Sequence, residues 1–447
     1  MVGRWEVATL EECGVKLIDC DHRTPAPAAA GYPYVAIPQL KEGRIDLADA
    51  RRISPADFAE WTRKAKPEAF DVVLSRRCNP GETGYVSPGL SFALGQNLVL
   101  LRSDGRRVVP EFLRWLVRGP AWWNQVHKFI NVGAVFDSLR CADIPKFELP
   151  IPPIDEQRHI ARILGALDDK IDLNRRASAT WEAIARALFK SWFVDFDPVR
   201  AKAEGRTPSG MDAETAKLFP GEFVDSEIGP IPRGWRPSTL GVEVERFGGT
   251  VQTGPFGSQL HASDYVTEGV PVVMPKDIVG RRVSAASIAK VRETDAARLS
   301  RHRLQVGDVV YSRRGDVERH ALISSREAGW LCGTGCLLVR LGHSWPSPSF
   351  ASFALDRPEA RAWIVQHAIG ATMPNLNTGI LGRLPLLMPP DAVLAAFARC
   401  VDPLQALIEK RANECYVLAQ TRDRLLPRLL SGELCLGSAE AAVAAAV

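Results

Sequence analysis

The sequence predicts an α+β fold written twice. Two mostly β modules are separated by two long α-helices that pair as an antiparallel coiled coil, a pseudo-twofold internal duplication. Three observations predict it. The chain matches itself at one offset, the hydrophobic period changes from short β runs to a helical stripe at the same point of each copy, and a Pro-Pro pair marks each change.

Sliding the sequence on itself by 237 positions lays FDVVLSRR at 70–77 on GDVVYSRR at 307–314. The same offset brings Pro38, Gly43 and Arg44 onto Pro275, Gly280 and Arg281, and Gly133, Ala134 and Leu139 onto Gly370, Ala371 and Leu376. It continues with Pro152-Pro153 on Pro389-Pro390 and Ile171 on Ile408. Upstream, GRWEVATL at 3–10 resembles RGWRPSTL at 233–240 at an offset of 230, so the copies differ there by a short insertion.

The first module is expected over 1–151. Its runs YVAI (34–37), DVVLS (71–75) and NLVLL (97–101) are short, apolar and bounded by Gly, Pro and Asn, the pattern of strands. EFLRWLVRGPAWWNQVHKFI (111–130) reads as small helices. A central helix is expected over 152–193. Its prolines come first, where no N–H is missed, and Asp155 and Glu156 suit the positive end of the helix dipole. Ile160, Leu164, Leu167, Ile171, Asn174, Ser178, Trp181, Ala185, Leu188 and Trp192 follow steps of four and three, a coiled-coil stripe.

A linker at 194–232 carries five prolines and one short helical candidate near Asp212–Leu218. The second module is expected over 233–388, with strands at VPVVM (270–274) and CLLVRL (336–341). A second helix over 389–434 repeats the stripe through Phe397, Val401, Leu404, Ile408, Arg411, Cys415, Leu418, Arg422, Leu425 and Leu429, with Pro403 expected to bend its first turns. Asn174 and Arg411 lie mid-stripe, where polar groups set register. Residues 435–447 are expected to form an unstructured tail. Helices of about 36 residues span roughly 54 Å, enough to hold the modules at opposite ends of an antiparallel pair.

The net charge of +4 is small, and the basic surplus lies in the modules, with 19 basic against 13 acidic residues in 231–388. Such a surplus supports only weak, salt-sensitive attraction to phosphate, so partner chains are expected to complete the grip. The chain has no apolar run of transmembrane length, and MVGRWEVATLEE lacks a signal-peptide layout; a cytoplasmic location is expected. The nine cysteines include no CxxC pair and the eight histidines show no ligand spacing, so reduced thiols and no metal are expected. A phosphate-binding GxxxxGK(S/T) loop, an Asp/Asn-Pro-Pro-aromatic methyltransferase motif, HExxH and GxSxG are all missing, which argues against an enzyme.

The two DVV(L/Y)SRR segments, GPFGSQL (254–260), PPIDEQRHIARILGALDDKID (152–172), LFKSWFVDFDPVRAKAEGR (188–206) and RDRLLPRLLSGEL (422–434) together resemble the specificity subunits of type I restriction-modification systems, the HsdS family. The resemblance covers nearly the whole chain. It implies that the β modules are target recognition domains for double-stranded DNA and that the helices space them and dock two methyltransferase subunits. The target it implies is bipartite and asymmetric. Adenine methylation and ATP-driven cleavage would belong to the modification subunits and the restriction/translocase subunits. S-adenosylmethionine, ATP and Mg are then expected in those partners, with no cofactor in this chain and no membrane association. On the residues alone, the alternative is a coiled-coil adaptor whose β modules bind proteins or glycans.

Arg76, Arg77, Arg313 and Arg314 end a strand in both copies, where arginine can hold a phosphate or the edge of guanine. GPFGSQL offers Ser258 and Gln259, while its counterpart DCDHRTP (19–25) offers His22, Arg23 and Thr24. Gln39, Lys276 and Asp277 join this DNA-contact set. Helix packing and subunit docking are expected of Ile160, Leu164, Leu167, Ile171, Trp181, Leu188, Leu404, Ile408, Leu418 and Leu425. The loops GAVFDSL (133–139) and GATMPNLN (370–377) are expected near DNA, with Leu139 and Leu376 in the core.

Overall fold

The computed structural model describes residues 5–133, 136–370 and 373–434, together with residue 439. Two compact units emerge, residues 1–175 with 412–447, and residues 176–411. Each takes half of each long helix, because the central helix runs Ile154–Phe193 and the terminal helix Asp391–Leu430. The 435–438 and 440–447 parts of the expected tail, and Ala134 and Ala371 of the two loops, lie outside the described residues.

In the first unit a six-stranded sheet is built on Leu98–Ser103, which pairs antiparallel with Val15–Asp19 on one side and Val72–Ser75 on the other. A three-stranded sheet forms around Tyr32–Val35. Glu6–Thr9 pairs with Glu148–Ile151, closing the start of the module on its end. The EFLRW region forms two helices, Pro110–Leu116 and Pro120–Phe129, each with proline at its first position.

The second unit repeats this plan. Cys336–Arg340 pairs with Thr250–Thr253 and Val309–Ser312, and Arg236–Thr239 pairs with Pro385–Met388 as the closing pair. The linker holds the expected helix, Ala213–Lys217, capped by the Asp212 carboxylate, and one more, Asp197–Ala203.

The structure corrects the single gapless offset. Val309–Ser312 does follow Val72–Ser75 by 237, but Tyr34 pairs with Ala93 as Val272 pairs with Leu331, a shift of 238. Asp46 N bonds Gln39 O as Ser284 N bonds Asp277 O, again 238. Pro38, Gly43 and Arg44 are therefore not the partners of Pro275, Gly280 and Arg281; Arg44 corresponds to Arg282. The one-residue slips fall in loops, where they leave the alternation of buried strand residues intact.

The helix stripe is largely buried. Ile160, Leu164, Leu167, Ile171, Leu418 and Leu425 enter the first unit's core beside Phe112, Trp115 and Trp122. In the second unit Ile408 is buried and Phe189, Trp192, Phe193 and Phe397 form an aromatic cluster with Phe350. Leu188 and Leu404 pack at its edge, and Trp181 is only half-buried. In the first unit Cys415 Sγ approaches Ile171 O and Arg422 reaches Asp168, so the half-helices there run antiparallel, and in the second unit Phe189 packs on Phe397. Pro403 does not interrupt the terminal helix. It and Arg399 are exposed, so water can satisfy the carbonyl that loses its N–H partner.

Candidate functional site

The DVV(L/Y)SRR segments show why they recur. Asp71 is buried and forks onto Arg102, Nε to Oδ1 at 2.8 Å and Nη2 to Oδ2 at 2.7 Å. Asp308 makes the same pair with Arg340 at 3.1 and 2.9 Å. The apolar residues fill the sheet, and the serine hydroxyl donates to the carbonyl two residues on, Ser75 to Arg77 and Ser312 to Arg314. That turn separates the two arginines. Sequence reasoning missed Arg102 and Arg340, whose partners lie about thirty residues away.

Arg76 is buried, contrary to the expectation of a DNA-facing side chain. Its backbone bridges Asn97 and Leu139, and Nη1 donates to Leu139 O at 3.4 Å. Arg313 repeats the backbone links, to Gly335 and Leu376, and is half-buried. The second arginine of each pair is exposed. Arg77 lies over the Phe136 ring at 5.6 Å and bridges Ser138, while Arg314 bridges Asn375. Beside them, the loops carry exposed apolar side chains at matching positions, Val132 and Phe136 in one copy, Ile369 and Met373 in the other. Leu139 and Leu376 anchor both loops in the core.

In the first module a cavity of about 380 Å³ opens next to this strand end. Thr24, Gln39, Asp49, Arg51, Gln96 and Asn97 give it a polar lining over a wall of Tyr34, Ile37 and Leu98. Asp49, Arg51, Gln96 and Asn97 were not singled out from the sequence; the GQN turn between two strand runs was the available signal. His22 stands at the rim, its Nδ1 2.9 Å from the Gln96 carbonyl and its Nε2 3.0 Å from Asp19 Oδ2. Arg23 is engaged by Asp21 and Glu60 and lies over Trp61 at 4.8 Å. Gln39 accepts from Ala36 N through Oε1, tying down its own turn.

The second module differs at these places. Ladder register sets Thr253 and Gly254 where the first module has Asp19 and Cys20. A β-carbon on Gly254 would meet Gly333 O at 1.9 Å, so only glycine fits. Ser258 is exposed, and Gln259 closes its turn by accepting from Phe256 N at 3.0 Å. Lys276 is exposed and donates to Ser287 O at 2.7 Å. Asp277 is corrected: it is buried and caps a short turn by accepting from Met274 N, the structural role Gln39 has in the first module.

The two β-rich modules are thus alike in framework and unlike in their surface turns. A family model described as type I restriction modification DNA specificity domain matches residues 27–182. The chain is 26% identical to the type I restriction enzyme HindI specificity subunit of Haemophilus influenzae, over 81% of this chain and 86% of that protein. It is 25% identical to the MjaIX specificity subunit of Methanocaldococcus jannaschii, over 91% of this chain and 84% of that one. The crystal structure of the type I restriction-modification S subunit from M. genitalium shares the fold at a TM-score of 0.55 and 14% identity, covering 95% of this chain and 96% of that chain. The chain is thus similar, over most of its length, to the specificity subunits of type I restriction-modification systems.

Proposed function

We propose that the chain reads a bipartite, asymmetric DNA target, one half with each module, while its long helices dock two methyltransferase subunits and, through them, the restriction subunits. S-adenosylmethionine, ATP and Mg are assigned to those partner chains. One observation carries this reading: the two modules share their buried framework and differ in the turns that face solvent. Identical readers would favour a palindromic target, whereas unlike readers favour two different half-sites.

In residues 1–151 the proposed contacts are Thr24, Gln39, Arg77, Gln96 and Asn97, with His22 and Arg23 at the rim. Side-chain amides suit the paired donor and acceptor of adenine, and an exposed arginine suits guanine or phosphate. In residues 233–388 they are Ser258, Gln259, Lys276 and Arg314. Docking is assigned to the outward helix faces, where Leu173, Ile184, Leu407, Tyr416 and Val417 are exposed. Large apolar side chains exposed on helix faces favour a protein partner.

Co-expression with the neighbouring methyltransferase, followed by methylome sequencing, tests the proposal. One split, asymmetric motif is expected. Exchanging residues 1–151 for another member's module is expected to change one half of that motif; a change in both halves, or an unsplit motif, contradicts it.

A further inference from the structure

We propose that the first module binds one divalent ion of the zinc class through Asp19, Cys20 and His22. The strand Val15–Asp19 ends in a turn that brings a carboxylate, a thiol and an imidazole to within 4.8 Å of one another. Among the described residues this is the one His, Cys, Asp and Glu group gathered so closely. His22 Nε2 is 3.0 Å from Asp19 Oδ2. Oxygen and nitrogen ligands about 2.0–2.1 Å from a tetrahedral ion stand roughly 3.3 Å apart, so a few tenths of an ångström separate this pair from a chelate.

The imidazole is oriented as a metal ligand would be. Its other nitrogen, Nδ1, lies 2.9 Å from the Gln96 carbonyl. A donor bond there fixes the tautomer that leaves the Nε2 lone pair for the ion, the outer-shell arrangement typical of ligating histidines. Cys20 Sγ is 3.8 Å from His22 Nδ1, on the Gln96 side of the ring. A mixed nitrogen, sulfur and oxygen set favours zinc over magnesium or calcium. Ligation by a thiol exchanges its proton for a sulfur–metal bond and releases that proton to solvent. Lys64 Nζ stands 3.9 Å from Asp19 Oδ2 and would have to swing away to admit the ion.

The consequence is local. The ion ties the 19–24 turn to the Gly95–Asn97 turn, two walls of the cavity that Thr24 and Gln96 line. Thr253 and Gly254 stand in the corresponding place of the second module, so its framework does not repeat these ligands.

Cobalt titration of the reduced, chelator-stripped full chain tests this. One Co²⁺ per chain is expected, with tetrahedral visible bands, a thiolate charge-transfer band, loss of both on adding one equivalent of Zn²⁺, and release of about one proton. Cys20→Ser removes the charge-transfer band. His22→Gln, at an exposed position, weakens binding by about tenfold or more with the fold intact. Lack of a tetrahedral spectrum at stoichiometric metal overturns the proposal, as does a spectrum unchanged in His22→Gln. The outcome is independent of DNA binding.

Discussion

Arg422 Nη1 lies 2.7 Å from Asp168 Oδ1, and both side chains are almost wholly buried, at 4% and 5% exposure. Asp168 also receives Arg44 at 2.9 Å and Arg114 at 3.1 Å. One carboxylate on the central helix thus joins the terminal helix, the Gly43–Ile45 strand and the Pro110–Leu116 helix of the first module. Burial pulls the Asp168 pKa up, and the three guanidinium groups overcome it and hold the group below its ordinary value.

Removing that charge is expected to be costly. Asp168→Asn leaves buried arginines without their shared partner, and a loss of about 3–5 kcal/mol in the first unit's stability is expected in urea unfolding at neutral pH. The sign with pH follows from the depressed pKa. The contribution is present above the unfolded value of about 3.9 and is lost as pH falls through the lower folded value. A neutral-pH stability equal to that of the unaltered chain would show that the clamp contributes nothing.

His320 predicts a different pH range for the second unit. It is buried, its Nε2 3.0 Å from Ser352 O and its ring 5.1 Å from Tyr311, and burial lowers its pKa from 6.5 to about 4. Between those values the unfolded chain binds a proton that the folded chain does not. Stability is therefore full above pH 6.5 and falls toward pH 4, by on the order of 3 kcal/mol. Unfolding of His320→Gln measured across this range is expected to show a flatter pH dependence.

The helix stripe predicts unequal costs along its length. Leu167 is fully buried, so Leu167→Asp is expected to cost about 3–5 kcal/mol by burying an unpaired charge. Trp181→Ala, at a half-buried position, is expected to cost about 1–2 kcal/mol. Thermal unfolding of the two variants measures the difference; equal shifts would mean that Leu167 is not packed as described.

The adjacent arginines are expected to separate in their effects. Arg77→Ala should weaken binding to all duplex sequences and reduce the steepness of the salt dependence by about one unit of log K against log salt. Arg76→Met should instead lower stability and leave that slope unchanged, because its guanidinium faces Leu139. Fluorescence anisotropy of the assembled methyltransferase complex at several salt concentrations distinguishes the two.

Much of the fold was legible because duplication and periodicity are one-dimensional properties. The offset near 237, the Pro-Pro pairs and the four-three stripe announced two β modules and two long helices before any coordinate was known. The stripe residues Ile160, Leu164, Leu167 and Ile171 are buried because helical spacing alone places them on one face. The candidate contacts were less legible. Arg76 and Arg77 are chemically identical neighbours, yet the turn closed by the Ser75 hydroxyl just past the strand sends one into the core and leaves the other in water. Asp277 resembles a solvent-facing charge in the sequence and is instead a buried cap.

The order of residues is enough to define two similar modules joined by long helices, with unlike segments DCDHRTP and GPFGSQL at matching places. Only the tertiary structure decided which residues those segments meet. It set Gln96 and Asn97 beside Thr24, brought the Gln96 carbonyl to His22, and converged three arginines on Asp168. The physical reason is that local pattern fixes which side of an element a side chain leaves from, while its neighbours come from strands and helices tens to hundreds of residues away, whose approach depends on loop length and packing.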